Sequence, residues 1–295
     1  MQQLKNKLAE TRLLLDKELD KYLTLPDGKE RRLAEAMRYS AIGGGKAFRA
    51  FLVLTVGEML GLKKETALQI ATALEMVHTF SLIHDDLPAM DNDTMRRGKP
   101  TNHVQFDEAT AILAGDALLA NAFQVLSHPK TDLTAGGQRQ LIHFLAKMTG
   151  KEGMCGGQML DLIGEKEPLN LEEVTRLQTL KTGALLRFAV LAPAVAADAD
   201  EITCKALEKY AANIGLMFQM TDDILDIEGD EKLMGKTLGK DKSESKSTFV
   251  TLMGLEATRQ KAYQLGKEAK EALSVFKEKA DVLCQASDFI LERKN

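Results

Sequence analysis

Two groups of aspartates carry the first chemical signal in this sequence: Asp85 and Asp86 with Asp91, and Asp222 and Asp223 with Asp226. Carboxylates are hard oxygen ligands, and Mg²⁺ favours one or two of them together with water and phosphate oxygens. Asp222 and Asp226 stand four residues apart and share one face of a helix, a spacing at which like charges repel. Asp85 and Asp91 are six apart, so a straight helix would part them. Pro88 disfavours helical geometry at Leu87 and predicts a break that brings Asp91 back towards Asp85. The plainer alternative is a pair of solvated helix ends. Two matching clusters, each at the C-terminal end of an apolar helix, argue against it.

The cations nearby complete a pattern for a phosphate-bearing ligand. Arg96 and Arg97 follow the first cluster directly, and guanidinium forks bind phosphate oxygens bidentately. Their alternative role is to neutralise Asp91 and Asp93. Gly43-Gly44-Gly45-Lys46-Ala47-Phe48-Arg49 places two cations at a helix start after a flexible turn, where backbone amides can add an anion nest. Alone, such a run usually marks a turn between helices. Gly235-Lys236-Thr237 is not a nucleotide-binding P-loop, because Gly229 to Gly235 leaves five residues between glycines rather than four and follows a helix. The Lys-rich stretch 232–246 reads instead as a cation-bearing lid, or as a plain surface loop.

Helices must position these groups. Leu4, Leu8, Leu15 and Leu19 form a stripe at helical spacing. Residues 66–84, 109–126, 184–195, 202–227 and 257–279 are rich in helix-favouring Ala, Leu and Met. Breaks are expected at 26–28, 43–45, 91–101, 128–137, 165–170 and 228–247. Alternating strands, hairpin signals, fixed-period repeats and Pro- or Ser-rich linkers are absent. Residues 71–84 and 211–227 are apolar nearly all round until the aspartates, as in helices surrounded by others. The expectation is one all-α domain over residues 1–295, a large helical bundle with a central cavity and a polar mouth.

Composition sets the outer limits. The chain has 295 residues, 44% of them hydrophobic and 28% charged, with net charge −4. That balance does not suit a general nucleic-acid binder. Cys155, Cys204 and Cys284 lie far apart without a CxxC pair, which disfavours disulfides and zinc. MQQLKNKLAETRLLL lacks a signal-peptide pattern, and no uncharged run reaches spanning length. A cytoplasmic protein without a stable membrane anchor is expected.

Taken together, these residues resemble the trans-prenyl diphosphate synthases, bacterial-type farnesyl diphosphate synthases above all, and the likeness runs over nearly the whole chain. Gly44-Gly45-Lys46 with Arg49 looks like GGKxxR, and Asp85 to Asp91 like a DDxxxxD motif followed by the Arg96-Arg97 pair. Gly157-Gln158 with Asp161, Lys181-Thr182-Gly183, Phe218-Gln219 with Asp222, Asp223 and Asp226, and Gly235-Lys236 follow in family order.

The resemblance implies a homodimeric, Mg²⁺-dependent enzyme, holding roughly two or three ions with Mn²⁺ as an alternative. It would join isopentenyl diphosphate to dimethylallyl and geranyl diphosphate, giving farnesyl diphosphate. It assigns Lys46, Arg49, His78 and Arg97 to isopentenyl diphosphate, and Arg96, Lys181, Lys236 and Lys246 to the allylic diphosphate. Asp85, Asp91 and Asp222 would bind metal, Asp86, Asp223 and Asp226 would order metal-bound water, and Gln158 and Asp161 would support them. Lys181, Thr182 and Gln219 would flank the allylic cation. Phe80 and Ser81, five and four residues before Asp85, would limit chain length, although Phe80 also suits an ordinary core. Geranylgeranyl diphosphate synthase is the near alternative. A non-catalytic partner subunit would lack the aspartates that this chain keeps. A ferritin-like di-iron protein, suggested by Glu75-Met76-Val77-His78, would need a second Glu-x-x-His motif. None exists, because Ser81, Pro100, Val125 and Gln140 stand three before the other histidines.

Overall fold

Amphipathic and all-apolar helices account for nearly all of the fold, as the periodicity requires. The computed structural model describes residues 2–129, 131–228 and 246–293. Contacts divide the chain into two compact units, one of Gln2–Ile142 with Val195–Ala197, the other of His143–Ala194 with the chain from Asp198.

The first unit contains α1 (Gln2–Tyr22), α2 (Arg31–Ala41), α3 (Phe48–Met59), α4 (Lys64–Asp85), α5 (Asn102–Gln105), α6 (Glu108–Leu126) and the start of α7 (Ala135–Thr149). The leucine stripe of α1 is fully inside, with Leu4, Leu15 and Leu19 at 0% exposure. Each such side chain stabilises the fold by about 2 kcal/mol relative to exposure. α4 packs against α1, α2, α3 and α6, which explains its lack of a polar face.

The second unit holds the rest of α7, α8 (Met154–Gly164), α9 (Leu171–Gln178), a π-helical turn (Thr179–Gly183) and α10 (Ala184–Ala196) as far as Ala194. It continues with α11 (Glu201–Glu228), α12 (Phe249–Met253), α13 (Leu255–Ala272), a 3₁₀ stretch (Leu273–Ala280) and α14 (Asp281–Glu292). α11 packs against α12, α13, α14 and the π turn. α9 begins with a capping box, Asn170 and Glu173 exchanging side-chain-to-backbone bonds.

The structure adds detail to the sequence expectations and changes two of them, the start of α7 and the 257–279 helix. Met95–Arg96 and Lys99–Pro100 pair as a two-residue antiparallel ladder, too short to alternate. α7 starts at Ala135 inside an expected break, where the Thr134 hydroxyl accepts the Gly137 N–H at 3.0 Å and so caps the first turn. The expected 257–279 helix gives way at Leu273 to a 3₁₀ stretch, kinked where Lys277 has φ 51°. Three helical stretches, Lys64–Asp85, Glu108–Leu126 and Leu171–Ala196, are long and apolar enough to cross a membrane by length and composition. Each carries charged residues, so none is an uncharged run of spanning length, and 78%, 39% and 56% of their most apolar stretches lie buried in the fold.

Candidate active site

Pro88 does what its position predicts. α4 stops at Asp85, and the chain turns through Leu87 N–H to the His84 carbonyl and Met90 N–H to the Leu87 carbonyl (3.2 and 2.9 Å). The Asp91 N–H then bonds to the carbonyl of Asp85 at 2.8 Å, so the two aspartates six apart become neighbours. Asp86 has a different environment. It is 3% exposed, and both its oxygens accept from Arg96 Nε at 2.8 and 2.9 Å, with Arg96 Nη2 2.6 Å from Oδ1. Burial pushes the Asp86 carboxyl up, and the Arg96 bonds oppose that shift. Arg96 therefore neutralises Asp86, and stands 3.9 Å from Asp93.

The turn after Arg96 is tight: Arg97 has φ 53° and Gly98 φ 74°, the left-handed pair that a two-residue hairpin turn needs. It directs the Arg97 guanidinium against the glycine loop. A Cβ on Gly44 would lie 2.5 Å from Arg97 Nη1, and one on Gly45 2.6 Å from Nη2. Bare glycines let that guanidinium close directly on the loop. On the next helix, Arg49 Nη1 is 3.4 Å from His78 Nε2. Burial first, then the charges of Arg49, Arg97 and Arg96, hold His78 well below its ordinary pKa, so it is neutral at pH 7. Arg49, His78, Arg97 and the loop that carries Lys46 are thus brought together within the first unit. A cavity of about 280 Å³ adjoins them, lined by Gly43–Gly45, Thr79, Asp86, Arg96, Arg97 and Lys99 among others. Glu75 is 4% exposed, and burial raises its pKa against the lowering fields of Arg12, Arg49 and Arg97. Its surroundings are guanidinium groups.

Phe80 is 7% exposed and meets the His84 ring edge-on at 5.3 Å. The Ser81 hydroxyl donates to the His78 carbonyl at 2.8 Å, so it is satisfied within α4.

In the second unit the aspartates keep the helical period of α11. Gln219 Nε2 donates to Asp223 Oδ1 at 2.9 Å, and the Thr182 hydroxyl donates to Gln219 Oε1 at 3.3 Å. The other Asp223 oxygen accepts the Phe249 N–H at 2.9 Å, where the chain re-enters α12. Asp223 is thereby a link between the π turn and α12. Asp226 is 7% exposed. The π turn lies so close to α8 that a Cβ on Gly157 would meet the Lys181 nitrogen at 2.1 Å. Such turns recur where a helix presents backbone groups for function. Lys181 Nζ binds Asp161 at 2.6 Å, while Lys246 lies 4.0 Å from Asp161 and 3.1 Å from Glu165. Gln158 Nε2 is buried with no hydrogen-bond partner among the described residues. Lys236 lies outside the described residues.

The sequence reading overlooked three partners. Arg293, just past α14, donates to Asp222 Oδ1 at 2.8 Å and to the Phe218 carbonyl at 2.7 Å, its guanidinium 3.8 Å over the Phe218 ring. Arg12 and Asp16 on α1 hold the glycine loop. None sits in a motif, and Arg12 and Asp16 are two of many charges along α1. Among the described residues no three His, Cys, Asp or Glu side chains converge as a closed metal cage.

A model of the polyprenyl synthetase family matches residues 30–283. The chain is 47% identical over 264 residues to a farnesyl diphosphate synthase of Micrococcus luteus, covering 90% of each. It is 43% identical over 289 residues to a geranylgeranyl diphosphate synthase of Cyanophora paradoxa, covering 98% of this chain and 96% of that one. A crystal structure of an FPP/GFPP synthase from Zymomonas mobilis superposes with a TM-score of 0.90 at 42% identity, covering 98% and 99% of the two chains.

Proposed function

Because this chain belongs to the polyprenyl synthetase family, we propose that it condenses isopentenyl diphosphate with dimethylallyl and then geranyl diphosphate to give farnesyl diphosphate, residues 1–295 acting as one catalytic domain. The observation that carries this reading is the cradle of Arg49, His78 and Arg97 against Gly44-Gly45, beside a cluster whose Asp91 is folded back on Asp85.

In this reading Lys46, Arg49, His78 and Arg97 bind isopentenyl diphosphate. Neutral His78 donates or accepts a hydrogen bond without adding charge. Arg96, Lys181 and Lys246, with Lys236, hold the allylic diphosphate. Their charges stabilise the leaving group as its C–O bond breaks, each such preorganised contact being worth about 3 kcal/mol. The Lys181 carbonyl and the oxygens of Thr182 and Gln219 supply dipoles beside the allylic cation. The isopentenyl double bond attacks that cation, and the proton then lost passes to the departing diphosphate. Apolar walls keep water from the cation.

Asp85, Asp91 and Asp222 fit Mg²⁺ by donor chemistry. An ion that keeps waters and substrate phosphate oxygens needs only one or two carboxylates, in keeping with clusters that do not close into a cage. When bound, roughly two or three such ions neutralise diphosphate charge, and Mn²⁺ can replace them. Asp226 orders metal-bound water in this reading, while the ties of Asp86 to Arg96 and of Asp223 to Gln219 and Phe249 support holding roles instead. The protein works as a cytoplasmic homodimer; the apolar side chains Ile112 and Leu113 that α6 leaves exposed support the dimer.

Product length tests the proposal. Purified protein with Mg²⁺, dimethylallyl and isopentenyl diphosphates should give a fifteen-carbon chain, and Phe80→Ala should lengthen it. A twenty-carbon wild-type product would favour the geranylgeranyl reading. No turnover with either allylic starter would refute the enzyme.

A further inference from the structure

The glycine loop that precedes Lys46 is an unusual piece of backbone. Gly43, Gly45 and Ala47 have φ of 74°, 66° and 49°, three left-handed residues within five. Glycines make that path accessible, but they also make many others accessible, so something outside the loop must select it. Ala47 has no such freedom and persists in this region only where its surroundings impose it.

We propose that Arg12 and Asp16 of α1 are positioning residues for the isopentenyl diphosphate site, selecting the loop conformation that presents Lys46. The inference rests on the functional reading above. Arg12 Nη1 donates to the Gly44 carbonyl at 2.7 Å, and Asp16 Oδ1 accepts the Gly43 N–H at 2.8 Å. The same Asp16 oxygen accepts from Arg12 Nη2, so the pair grips two consecutive residues as one unit. In a planar trans peptide the C=O and the next N–H point in opposite directions. Tying the Gly44 carbonyl to Arg12 therefore turns the Gly45 N–H away from α1. Arg12 reaches the cradle a second way, since its Nη1 is 3.7 Å from Glu75 Oε1. Glu75 also lies in the fields of Arg49 and Arg97, so Arg12 shares a buried neighbour with the cradle. The Arg12 side chain is 14% exposed and makes these contacts in place of surface ones. Lysine could reach one acceptor but could not grip both groups with a planar fork.

Steady-state kinetics with each substrate varied in turn tests this, alongside calorimetric titration of isopentenyl diphosphate into the metal-free protein. Arg12→Gln should raise the KM for isopentenyl diphosphate about tenfold, because a sub-ångström loop shift misplaces a binding group. The KM for geranyl diphosphate should stay within about twofold, and the calorimetric Kd should rise in parallel with the selective KM. Arg12→Lys should recover part of the loss, and Asp16→Asn should cost about threefold. Equal rises in both KM values, or an unchanged Kd, would overturn the inference. If Arg12→Gln does not fold, the same selective rise in Arg12→Lys and Asp16→Asn upholds the inference and its absence overturns it. Wild-type protein that turns over neither substrate would instead sink the functional reading on which this rests.

Discussion

The two aspartate clusters reach similar composition by opposite means. The first is gathered by a turn: Pro88 ends α4, and a 2.8 Å backbone bond brings Asp91 to Asp85. The second is laid out by the regular period of α11. Their hydrogen-bond partners differ too. Buried Asp86 accepts from a guanidinium ten residues along the chain, whereas buried Asp223 accepts from an amide side chain and a backbone N–H. A charge-paired carboxylate is hard to neutralise without stranding its partner, and one held by dipoles is more forgiving.

Conservative amide substitutions break this comparison if it is wrong. Asp86→Asn leaves Arg96 without its counter-ion and should cost about 3 kcal/mol in urea unfolding. Asp223→Asn keeps one side-chain oxygen to accept from Gln219 or from the Phe249 N–H, so it should cost about 1 kcal/mol. Equal losses would mean that the two clusters are held alike.

Glycines sharpen the same contrast at a smaller scale. A methyl on Gly157 meets the Lys181 backbone, which can move only by displacing the π turn, so Gly157→Ala should cost about 2 kcal/mol in thermal unfolding. A methyl on Gly44 meets the end of the Arg97 side chain, which can swing aside. Gly44→Ala should cost less than about 1 kcal/mol in stability while raising the KM for isopentenyl diphosphate. A larger stability loss at Gly44 would show that loop to be the more rigid of the two.

The pattern of the first unit was largely legible. A leucine stripe, an apolar helix and a proline inside an acidic run are local signals, and each led to the element it predicted. Asp91 returned to Asp85 because Pro88 acts on its immediate neighbours. What could not be read were pairings between distant segments. Nothing in Ile290-Leu291-Glu292-Arg293 says that the arginine will reach Asp222. The spacing of Arg12 and Asp16 gives an ordinary i, i+4 pair, and only the turn of the glycine loop makes it a clamp. The π turn at Lys181 was equally hidden, since its sequence is compatible with a plain helix. The partners of Asp86 and Asp223 were hidden for the same reason, since tertiary contacts set them.

The smallest expected effect is one of pH. His78 stays neutral in the fold well below its ordinary pKa of 6.5. Below about pH 6.5 the unfolded chain therefore takes up a proton that the folded chain refuses, and stability falls as pH drops. His78→Gln should flatten the pH dependence of urea unfolding, the difference from wild type reaching about 1 kcal/mol near pH 5.5. Parallel curves would mean that His78 is protonated in the fold.

The central claim is that both clusters hold diphosphate through divalent ions. Mn²⁺ titration followed by electron paramagnetic resonance, with and without inorganic diphosphate, tests it most directly. Wild-type protein should retain Mn²⁺ much more tightly when diphosphate is present. Asp91→Asn and Asp222→Asn should each weaken that retention by about tenfold or more. Retention unchanged in either variant, or independent of diphosphate, would contradict it.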